Sequence, residues 1–441
     1  MATPDPEHIN AIQQAISKYS KGLVQESPSH IEYLATSPTT TFTVLLTGST
    51  GNLGTHILAY LLEHPSVDHV FVHNRVSSSN LSSLQRHETQ FTEHGLNHDL
   101  LHDKKLTFLE GDLRAPQLGL AQQEYDELLS IANVVIHNAW KSNFKFTLHD
   151  YEPFIIGSRN LIDFALAVKC SSKMRFVFTS SMASVQSWTK GGDLVPETSL
   201  SDASIAAGSG YGESKYVVER LLQCSGLNSS TLRIVQLSGG DETGYWSTDE
   251  WIPGLIRSSV ALGIFPSSEA LVPWVSLSDA ARIIIDDALG SNLFVEAAVY
   301  NMEHPSPVPW NAIVCHLNEA LVQRGVIPSP LPIVPVPQWI DKLHSAAAKS
   351  DSQTVLRELP AVRILRLFEF VFISTRGKNP RLGDHAALDT SKLMSRSETM
   401  RAMKPLGKED AALWAEYWLS KGYFQRSVAD RSQTKRYRAT L

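Results

Sequence analysis

The chain has 441 residues, enough for about three domains of roughly 150 residues each. Its 43% hydrophobic and 19% charged residues are typical of a globular protein with a large core, and the net charge of −6 argues against a general nucleic-acid binder. No apolar run is as long as a membrane span, which needs about 18 residues. The N-terminus lacks the basic and apolar regions of a signal peptide. The three cysteines, Cys170, Cys224 and Cys315, are scattered, so we expect no metal site, no disulfide framework and a cytoplasmic location.

The chain begins with a segment that precedes any predicted strand. Residues 7–24 carry apolar side chains at the three- and four-residue spacing of an amphipathic helix. Residues 25–40 are rich in Ser, Pro and Thr, which is typical of a linker. The helix is either a solvated arm or the end of a linker from a preceding domain, and we assign residues 1–40 to an N-terminal helix and linker.

A glycine-spaced turn follows the first predicted strand. Residues 44–54 read VLLTGSTGNLG, and the apolar spacing of residues 55–62 then predicts a helix. Strand, tight turn and helix form the context that a dinucleotide-binding glycine motif requires. Gly48 permits the turn, Gly51 lets the main chain approach a pyrophosphate, and Gly54 lets helix and strand pack closely. An ordinary turn between a strand and a helix is the alternative.

Strands and helices alternate from residue 41 to about residue 237. The further strands are predicted at residues 69–74, 106–110, 133–137, 175–179 and 231–235. The intervening helices are predicted at residues 81–94, 121–131, 151–168 and 211–222. This alternation predicts an α/β fold with a doubly wound parallel sheet, helices on both faces and ligands at the carboxyl ends of the strands.

The alternation stops after residue 237. Residues 238–262 are predicted to form an irregular flap and a helix, residues 279–290 a further helix, and residues 298–301 a strand that returns to the sheet. Proline-rich sequence then leads to helices predicted at residues 338–348, 354–373 and 390–421, and to a polar, basic tail at residues 426–441. We therefore predict a nucleotide-binding domain at residues 41–305, whose flap contributes to the substrate site, and a smaller helical lobe with the tail at residues 306–441.

Two stretches carry side chains suited to acid catalysis. Tyr211 and Lys215 lie four residues apart at the start of a predicted helix, so their side chains share one face. A nearby ammonium stabilises phenolate and makes the phenol a better proton donor. Upstream, a strand ends in Ser180 and Ser181, where a hydroxyl can hydrogen-bond a carbonyl oxygen that gains negative charge. We choose Ser181 for this role over Ser180, and a pair of serines that caps the following turn is the alternative.

Several motifs together resemble the extended short-chain dehydrogenases/reductases. They are TGSTGNLG at 47–54, GDLR at 111–114, HNAW at 137–140, the serine pair and the Tyr-x-x-x-Lys pair. The chain more closely resembles the thioester reductase domains of fungal nonribosomal peptide synthetase-like and carboxylic acid reductase enzymes. GYGESKYVVERLL at 210–222, the Gly244-Tyr245-Trp246 flap and LDTSK at 388–392 carry this closer resemblance, which covers residues 41–425.

The resemblance implies a Rossmann-type fold and NADPH as the hydride donor. The residues implied to hold the pyrophosphate turn are Gly48, Thr50, Gly51, Asn52, Leu53 and Gly54. Arg75 would pair with the 2′-phosphate, Asp112 and Leu113 would line the adenine, and Asn138 and Ala139 would line the ribose. Lys215 would also reach the nicotinamide ribose. A solvated surface arginine is the alternative for Arg75.

The implied reaction is reduction of an acyl thioester carried on the phosphopantetheine arm of a thiolation domain. Ser181, Tyr211 and Lys215 would be the catalytic residues, the product an aldehyde or, after a second reduction, an alcohol, and Trp246 would help to close the acyl pocket. Related sequences often have Pro where this chain has Lys141, which either binds an acidic group or points to solvent. The competing hypotheses are a free-standing reductase or epimerase for a small carbonyl or nucleotide sugar, and a non-catalytic nucleotide-sensing protein.

Overall fold

The computed structural model describes residues 5–23, 41–77, 81–143, 145–169, 174–188, 194–290, 297–348, 357–365, 368, 372, 380–383 and 385–424. The predicted linker at 25–40, the basic tail at 426–441, Cys170 and parts of the predicted helix at 354–373 lie outside these residues. The chain divides into two compact units. The first comprises Met1–Gln236, Leu277–Glu303 and Leu388–Met403, and the second comprises Leu237–Ser276, His304–Ala387 and Lys404–Leu441.

The first unit is built on a seven-stranded parallel sheet, which confirms the predicted doubly wound α/β fold. Its strands are β1 (Phe42–Thr47), β2 (Val67–Asn74), β3 (Leu106–Glu110), β4 (Val134–His137), β5 (Arg175–Ser181), β6 (Ser229–Ile234) and β11 (Ala298–Met302). Their order in the sheet is β11-β6-β5-β4-β1-β2-β3. The order reverses between β1 and β4, and ligands bind such sheets at this switch point, outside the carboxyl ends of the strands.

Helices cover the sheet of the first unit. They are α1 (Pro6–Tyr19), α2 (Asn52–Glu63), α3 (Ser83–His94), α4 (Gln122–Ile131), α5 (Glu152–Ala167), α6 (Gly210–Ser225) and α8 (Leu277–Leu289). Local sequence sets several of their ends: Ser82 and Gln85 form a capping box at the start of α3, and the Ser209 side chain accepts from Gly212 N at the start of α6. Within the described residues, no helix is long and apolar enough to cross a bilayer.

The N-terminal helix α1 is docked on the first unit and is not a solvated arm. Ile12 is fully buried, and His8 Nδ1 lies 2.5 Å from Glu213 Oε1 on α6. At its other end, the Tyr19 hydroxyl donates to Glu152 Oε1 (2.5 Å), and Arg159 Nη1 donates to the Tyr19 carbonyl (2.5 Å). The helix ends at Tyr19, five residues before the predicted end at residue 24.

Residues 388–403 belong to the first unit, whereas the predicted boundaries place them in the C-terminal lobe. They form two short helices, Ser391–Arg396 and Glu398–Ala402, in place of part of the long helix predicted at 390–421. The buried Glu197 carboxylate accepts the backbone N–H groups of Lys392 and Leu393, and Asn301 Nδ2 donates to the Asp389 carbonyl (2.8 Å). The LDTSK motif is therefore an anchor for this returning segment.

The second unit contains helices α7 (Trp251–Leu262), α9 (Trp310–Gln323) and α10 (Val336–Ala347) and the helix Lys408–Ser420. Its strands form short pairs: β7 (Leu237–Ser238) with β10 (Val275–Ser276), β9 (Leu271–Val272) with β12 (Val308–Pro309), and β8 (Phe265–Pro266) with β13 (Ile333–Val334). The predicted flap at 238–262 belongs to this unit, and its Trp246 is 1% exposed within an apolar core. Trp246 is thus a core residue of the second unit.

Candidate functional site

The glycine turn between β1 and α2 lies at the switch point of the sheet. Gly48 has φ of +73°, and a Cβ there would lie 2.7 Å from Ala139 N. A Cβ on Gly54 would lie 2.0 Å from the Gly48 carbonyl oxygen, so helix and turn can approach only because both residues lack side chains. No side chain caps α2 at Gly51. No capping side chain at Gly51 therefore competes with a phosphate group for the positive end of the helix dipole.

The end of β4 is tied to the end of β1 by a chain of hydrogen bonds. Ser158 Oγ donates to the Phe154 carbonyl (2.8 Å) and so accepts from His137 Nε2 (2.8 Å). His137 Nδ1 then accepts from Thr47 Oγ1 (2.9 Å). Burial, aided by the charges of Lys215 and His73, lowers the pKa of His137 to about 3. The imidazole is therefore neutral, and one tautomer satisfies every bond.

Thr47 and Thr179 orient the residues that follow β4. Thr47 Oγ1 accepts the backbone N–H groups of Asn138 and Ala139, both at 3.1 Å. Asn138 Nδ2 donates to the Gly48 carbonyl (3.3 Å), and Asn138 Oδ1 accepts from Thr179 Oγ1 (3.1 Å). Asn138 and Ala139 are thus held directly against the glycine turn, as expected for residues beside a bound dinucleotide.

The structure brings Ser181 and Tyr211 together. The Tyr211 hydroxyl forms hydrogen bonds with the side chains of Ser181 and Ser142. Contact between α6 and the turn after β5 depends on Gly212, where a Cβ would lie 2.1 Å from the Ala183 carbonyl oxygen. Burial raises the pKa of Tyr211 above its usual value of 10, and the two hydrogen bonds partly offset this. The phenol therefore keeps its proton at neutral pH and is able to donate it.

Lys215 is buried beneath Tyr211 in an aromatic cage. Its Nζ donates to the Thr179 carbonyl (2.6 Å) and lies 4.2 Å from the Trp140 ring centroid, 4.8 Å from that of Phe178 and 5.8 Å from that of Tyr211. Burial lowers the pKa of Lys215 well below 10.5, and Glu219 opposes this shift. The aromatic faces stabilise the cation where water is excluded.

Ser180, the alternative to Ser181, points elsewhere. Its Oγ donates to Glu219 Oε1 (2.5 Å), and Glu219 forms a buried salt bridge with Arg233 (2.8 Å). Successive residues of a strand face opposite sides of the sheet, so only one of the two serines can face Tyr211.

A second group of candidate residues lies at the carboxyl ends of β2 and β3. We call the region outside the carboxyl ends of the sheet strands the crevice. Asn74, the last residue of β2, is buried, and its Nδ2 donates to Ser49 Oγ (3.0 Å). Arg75 follows and is exposed. Asp112 forms a two-pronged ion pair with Arg114, which lowers the pKa of the carboxyl group, and the charge of Arg75 lowers it further. The Leu113 carbonyl accepts from Asn160 Nδ2 (2.8 Å).

Three residues of this region were not predicted as site residues. Ser142 bonds Tyr211, and the Tyr151 hydroxyl donates to the Lys141 carbonyl (2.8 Å), which fixes the loop after β4. Trp140 was predicted only as part of a motif, and its indole N–H is buried without a hydrogen-bond partner among the described residues. For Trp140 and Ser142, the available signal was their place just after β4 at the switch point, whereas Tyr151 lies at the start of α5. Lys141 itself is exposed, with Nζ 5.1 Å from the Phe146 ring centroid.

Comparisons with known proteins place the chain among reductases and NAD-binding domains. The NAD-binding family described as male sterility protein matches residues 46–278. Adenylate-forming reductase Nps11 of Serpula lacrymans is 38% identical over 422 residues, and carboxylic acid reductase of Neurospora crassa is 27% identical over 428 residues. Each match covers 94% of this chain but only 38% of the relative, so the chain spans about two fifths of their length.

Among solved structures, the terminal R domain from the myxalamid PKS-NRPS biosynthetic pathway has the same fold. The TM-score is 0.72 at 19% sequence identity, over 95% of this chain and 99% of that domain. The resemblance to reductase domains that the motifs predicted is thereby confirmed at the level of family and fold. Because the family match spans more than half of the chain and includes the glycine turn, Tyr211 and Lys215, the chain belongs to the male sterility protein family of NAD-binding domains.

Proposed function

We propose that this chain is an NADPH-dependent reductase that releases a carrier-bound acyl thioester as an aldehyde. The observation that carries the proposal is the hydrogen bond between the Ser181 and Tyr211 side chains, with Lys215 beneath them and the glycine turn in the same unit. A half-buried phenol that keeps its proton next to a serine hydroxyl is the arrangement needed to stabilise an oxyanion and then protonate it.

The residues of the crevice fit a nicotinamide dinucleotide. The glycine turn would hold the pyrophosphate through Gly48, Thr50, Gly51, Asn52, Leu53 and Gly54. No side chain caps the start of α2, and Gly48 and Gly54 have no side chains where the turn and the helix come closest to each other. Asn138, Ala139 and Lys215 would face the ribose of the nicotinamide. When bound, the nicotinamide supplies a hydride to the carbonyl carbon of the substrate.

The charge at the end of β2 favours NADPH over NADH. NADH-binding sheets place an acidic residue there to bind the ribose 2′-hydroxyl, whereas this chain has Asn74, whose side chain is committed to Ser49. The adjacent Arg75 is exposed and can pair with a 2′-phosphate. Asp112 and Leu113 would line the adenine.

In the proposed reaction, the Ser181 and Tyr211 hydroxyls donate hydrogen bonds to the thioester oxygen as it gains negative charge. Tyr211 then transfers its proton to that oxygen, which gives a thiohemiacetal. Lys215 stabilises the phenolate that remains, and Ser142 donates a further hydrogen bond to it. Breakage of the carbon–sulfur bond returns the carrier thiol with one proton and leaves the aldehyde.

The proposed partner is a thiolation domain that carries the acyl group on phosphopantetheine. The name of the Serpula relative joins adenylate formation and reduction in one protein, and this chain matches 38% of it. An acyl group activated in one part of such a protein must be delivered to the other, and a tethered thioester provides that delivery.

The proposal is tested by product analysis with NADPH and acyl-pantetheine or carrier-bound thioesters. Tyr211→Phe should lower kcat by about 10²- to 10⁴-fold, the usual contribution of a general acid. Tyr216→Phe is the matched control, because this tyrosine lies on the same helix and its hydroxyl donates to the Leu200 carbonyl (2.9 Å). Turnover of free aldehydes or ketones but of no thioester would instead support a free-standing reductase.

A further inference from the structure

The second unit contains a basic cleft that takes no part in the site described above. Its volume is about 300 Å³. The side chains that matter for its chemistry are those of Asp249, Arg257, Arg357, Arg363, Lys421 and Tyr423. Arg257 lies on α7 and Arg363 on the turn Pro360–Ile364. Asp249 and Arg357 lie just before these two elements, and Lys421 and Tyr423 follow the helix Lys408–Ser420. The fold of this unit therefore gathers four cations from distant parts of the sequence around one cleft.

The described residues of the second unit do not neutralise the positive charge of the cleft. No salt bridge joins any of the four cations to a carboxylate among the residues that the structure describes. Among the described lining residues Asp249 is the one that is acidic, so these residues carry three more positive than negative charges. Clustered like charges in a concave site repel one another, and an anion relieves that repulsion.

One of the cations is held rigidly. Arg257 Nη1 donates to the Tyr423 carbonyl, and its guanidinium carbon lies 4.6 Å from the Tyr423 ring centroid. Among the described residues, no further hydrogen bond engages the Arg257 guanidinium, whose planar fork of N–H groups matches the oxygens of a phosphate group. The buried Tyr423 hydroxyl, in the same wall, has no hydrogen-bond partner within the described ranges. A site that is ordered before binding loses less entropy when it binds.

We propose that this cleft binds the phosphate group of a phosphate ester. A carboxylate offers two oxygens in one plane, whereas the oxygens of a phosphate ester are arranged tetrahedrally, so that three guanidinium groups and an ammonium can share them. The cleft is also larger than a bare phosphate ion and leaves room for the attached organic group. The ester is either the phosphopantetheine arm of a carrier, in which case the assignment rests on the proposed function, or a free phosphorylated metabolite.

Isothermal titration calorimetry with inorganic phosphate and with 4′-phosphopantetheine tests the site. Saturating NADP⁺ is included so that phosphate binding at the glycine turn does not contribute. The double variant Arg357→Gln/Arg363→Gln should weaken both ligands at least tenfold. The matched control is Lys342→Gln, an exposed lysine on α10 of the same unit, which should change affinity by less than twofold. Equal affinities for the parent and the double variant would overturn the proposal.

The source of the phosphate follows from kinetics and competition. If it is the carrier arm, the double variant raises KM for a phosphopantetheinyl thioester at unchanged kcat, and the KM for the pantetheine thioester, which lacks phosphate, stays constant. If the ester is a free metabolite, coenzyme A binds through the cleft while the KM for the carrier-bound thioester is unaltered. Calorimetry needs no turnover, so it detects phosphate binding even in a protein that reduces no thioester. Failure of the phosphate proposal can therefore be distinguished from failure of the proposed function.

Discussion

The two units use aromatic and polar side chains in opposite ways. Seven of the nine tryptophans belong to the second unit: Trp246, Trp251, Trp274, Trp310, Trp339, Trp414 and Trp418. Six of these form one group of ring contacts; the centroids of Trp246 and Trp414, for example, lie 4.9 Å apart. In the first unit, Trp140 instead stacks over the Lys215 ammonium at the switch point of the sheet.

This difference between the tryptophans of the two units separates residues that pack a core from residues placed at the candidate site. Four indole N–H groups of the second unit donate hydrogen bonds within it, for example Trp310 to the Pro266 carbonyl (2.8 Å) and Trp339 to Ser259 Oγ (3.0 Å). The Trp140 N–H, at the candidate site, has no partner among the described residues. Aromatic clusters whose N–H groups are hydrogen-bonded stabilise a fold. Polar atoms that are held in place without a hydrogen-bond partner are able to bind a ligand. Substitutions in the two units should therefore have separable effects.

The largest effect on cofactor binding is expected at the glycine turn of the first unit. Gly54→Ala would place a Cβ 2.0 Å from the Gly48 carbonyl oxygen, so the turn must open, and we expect NADPH affinity to fall by about 100-fold or more. Gly51→Ala places its Cβ 3.5 Å from the same oxygen, an ordinary contact. The Gly51→Ala variant should have the melting temperature of the parent protein but bind NADPH more weakly. Fluorescence titration and thermal melts measure both, and wild-type affinity in Gly54→Ala would refute the assignment.

The next effect concerns stability in the second unit. Trp414 is 1% exposed, so Trp414→Ala should lower the free energy of unfolding by about 3–5 kcal/mol through loss of burial and formation of a cavity. Urea denaturation measures this loss, and Trp414→Phe should show a smaller one. NADPH affinity of the folded fraction should stay unchanged, since the crevice residues belong to the first unit. A loss of affinity without a loss of stability would break the comparison.

A smaller effect separates the two cofactors. Arg75→Gln should weaken NADPH binding by about 1.5–3 kcal/mol, the range for hydrogen bonds to a charged group, and leave NADH binding unaltered. Lys145→Gln serves as a control, because this lysine is also exposed in the first unit. Equal weakening of both cofactors by Arg75→Gln would show that the arginine does not bind the 2′-phosphate.

The smallest effect is a dependence of stability on pH. His137 has a folded pKa of about 3, below the unfolded value of 6.5, so its contribution to stability is complete above pH 6.5 and is lost as pH falls toward 3. Between pH 7.5 and pH 5.5 this residue should account for about 1.4 kcal/mol of lost stability. Urea denaturation at both pH values should show that His137→Gln, although less stable, loses less on acidification. An equal loss in both proteins would contradict the buried neutral imidazole.

Local features of the sequence predicted most of the first unit. The glycine turn, the alternation of strands and helices, and the spacing of Tyr211 and Lys215 all depend on residues that are close in the chain. Periodicity, turn chemistry and helix geometry act over a few residues, so they can be recognised without a structure. Ser181 was preferred to Ser180 at the end of the strand, but strand periodicity alone does not say which face of the sheet meets α6.

Tertiary structure alone decided the remaining features. Ser142 reaches Tyr211 across a loop, residues 388–403 return to the first unit because the Glu197 carboxylate accepts their N–H groups, and three cations of the basic cleft come from segments more than 50 residues apart. The tryptophans could not be assigned to a core or a pocket in advance, since the same residue type serves both. Contacts between distant segments depend on how whole elements pack, and no local pattern records that packing.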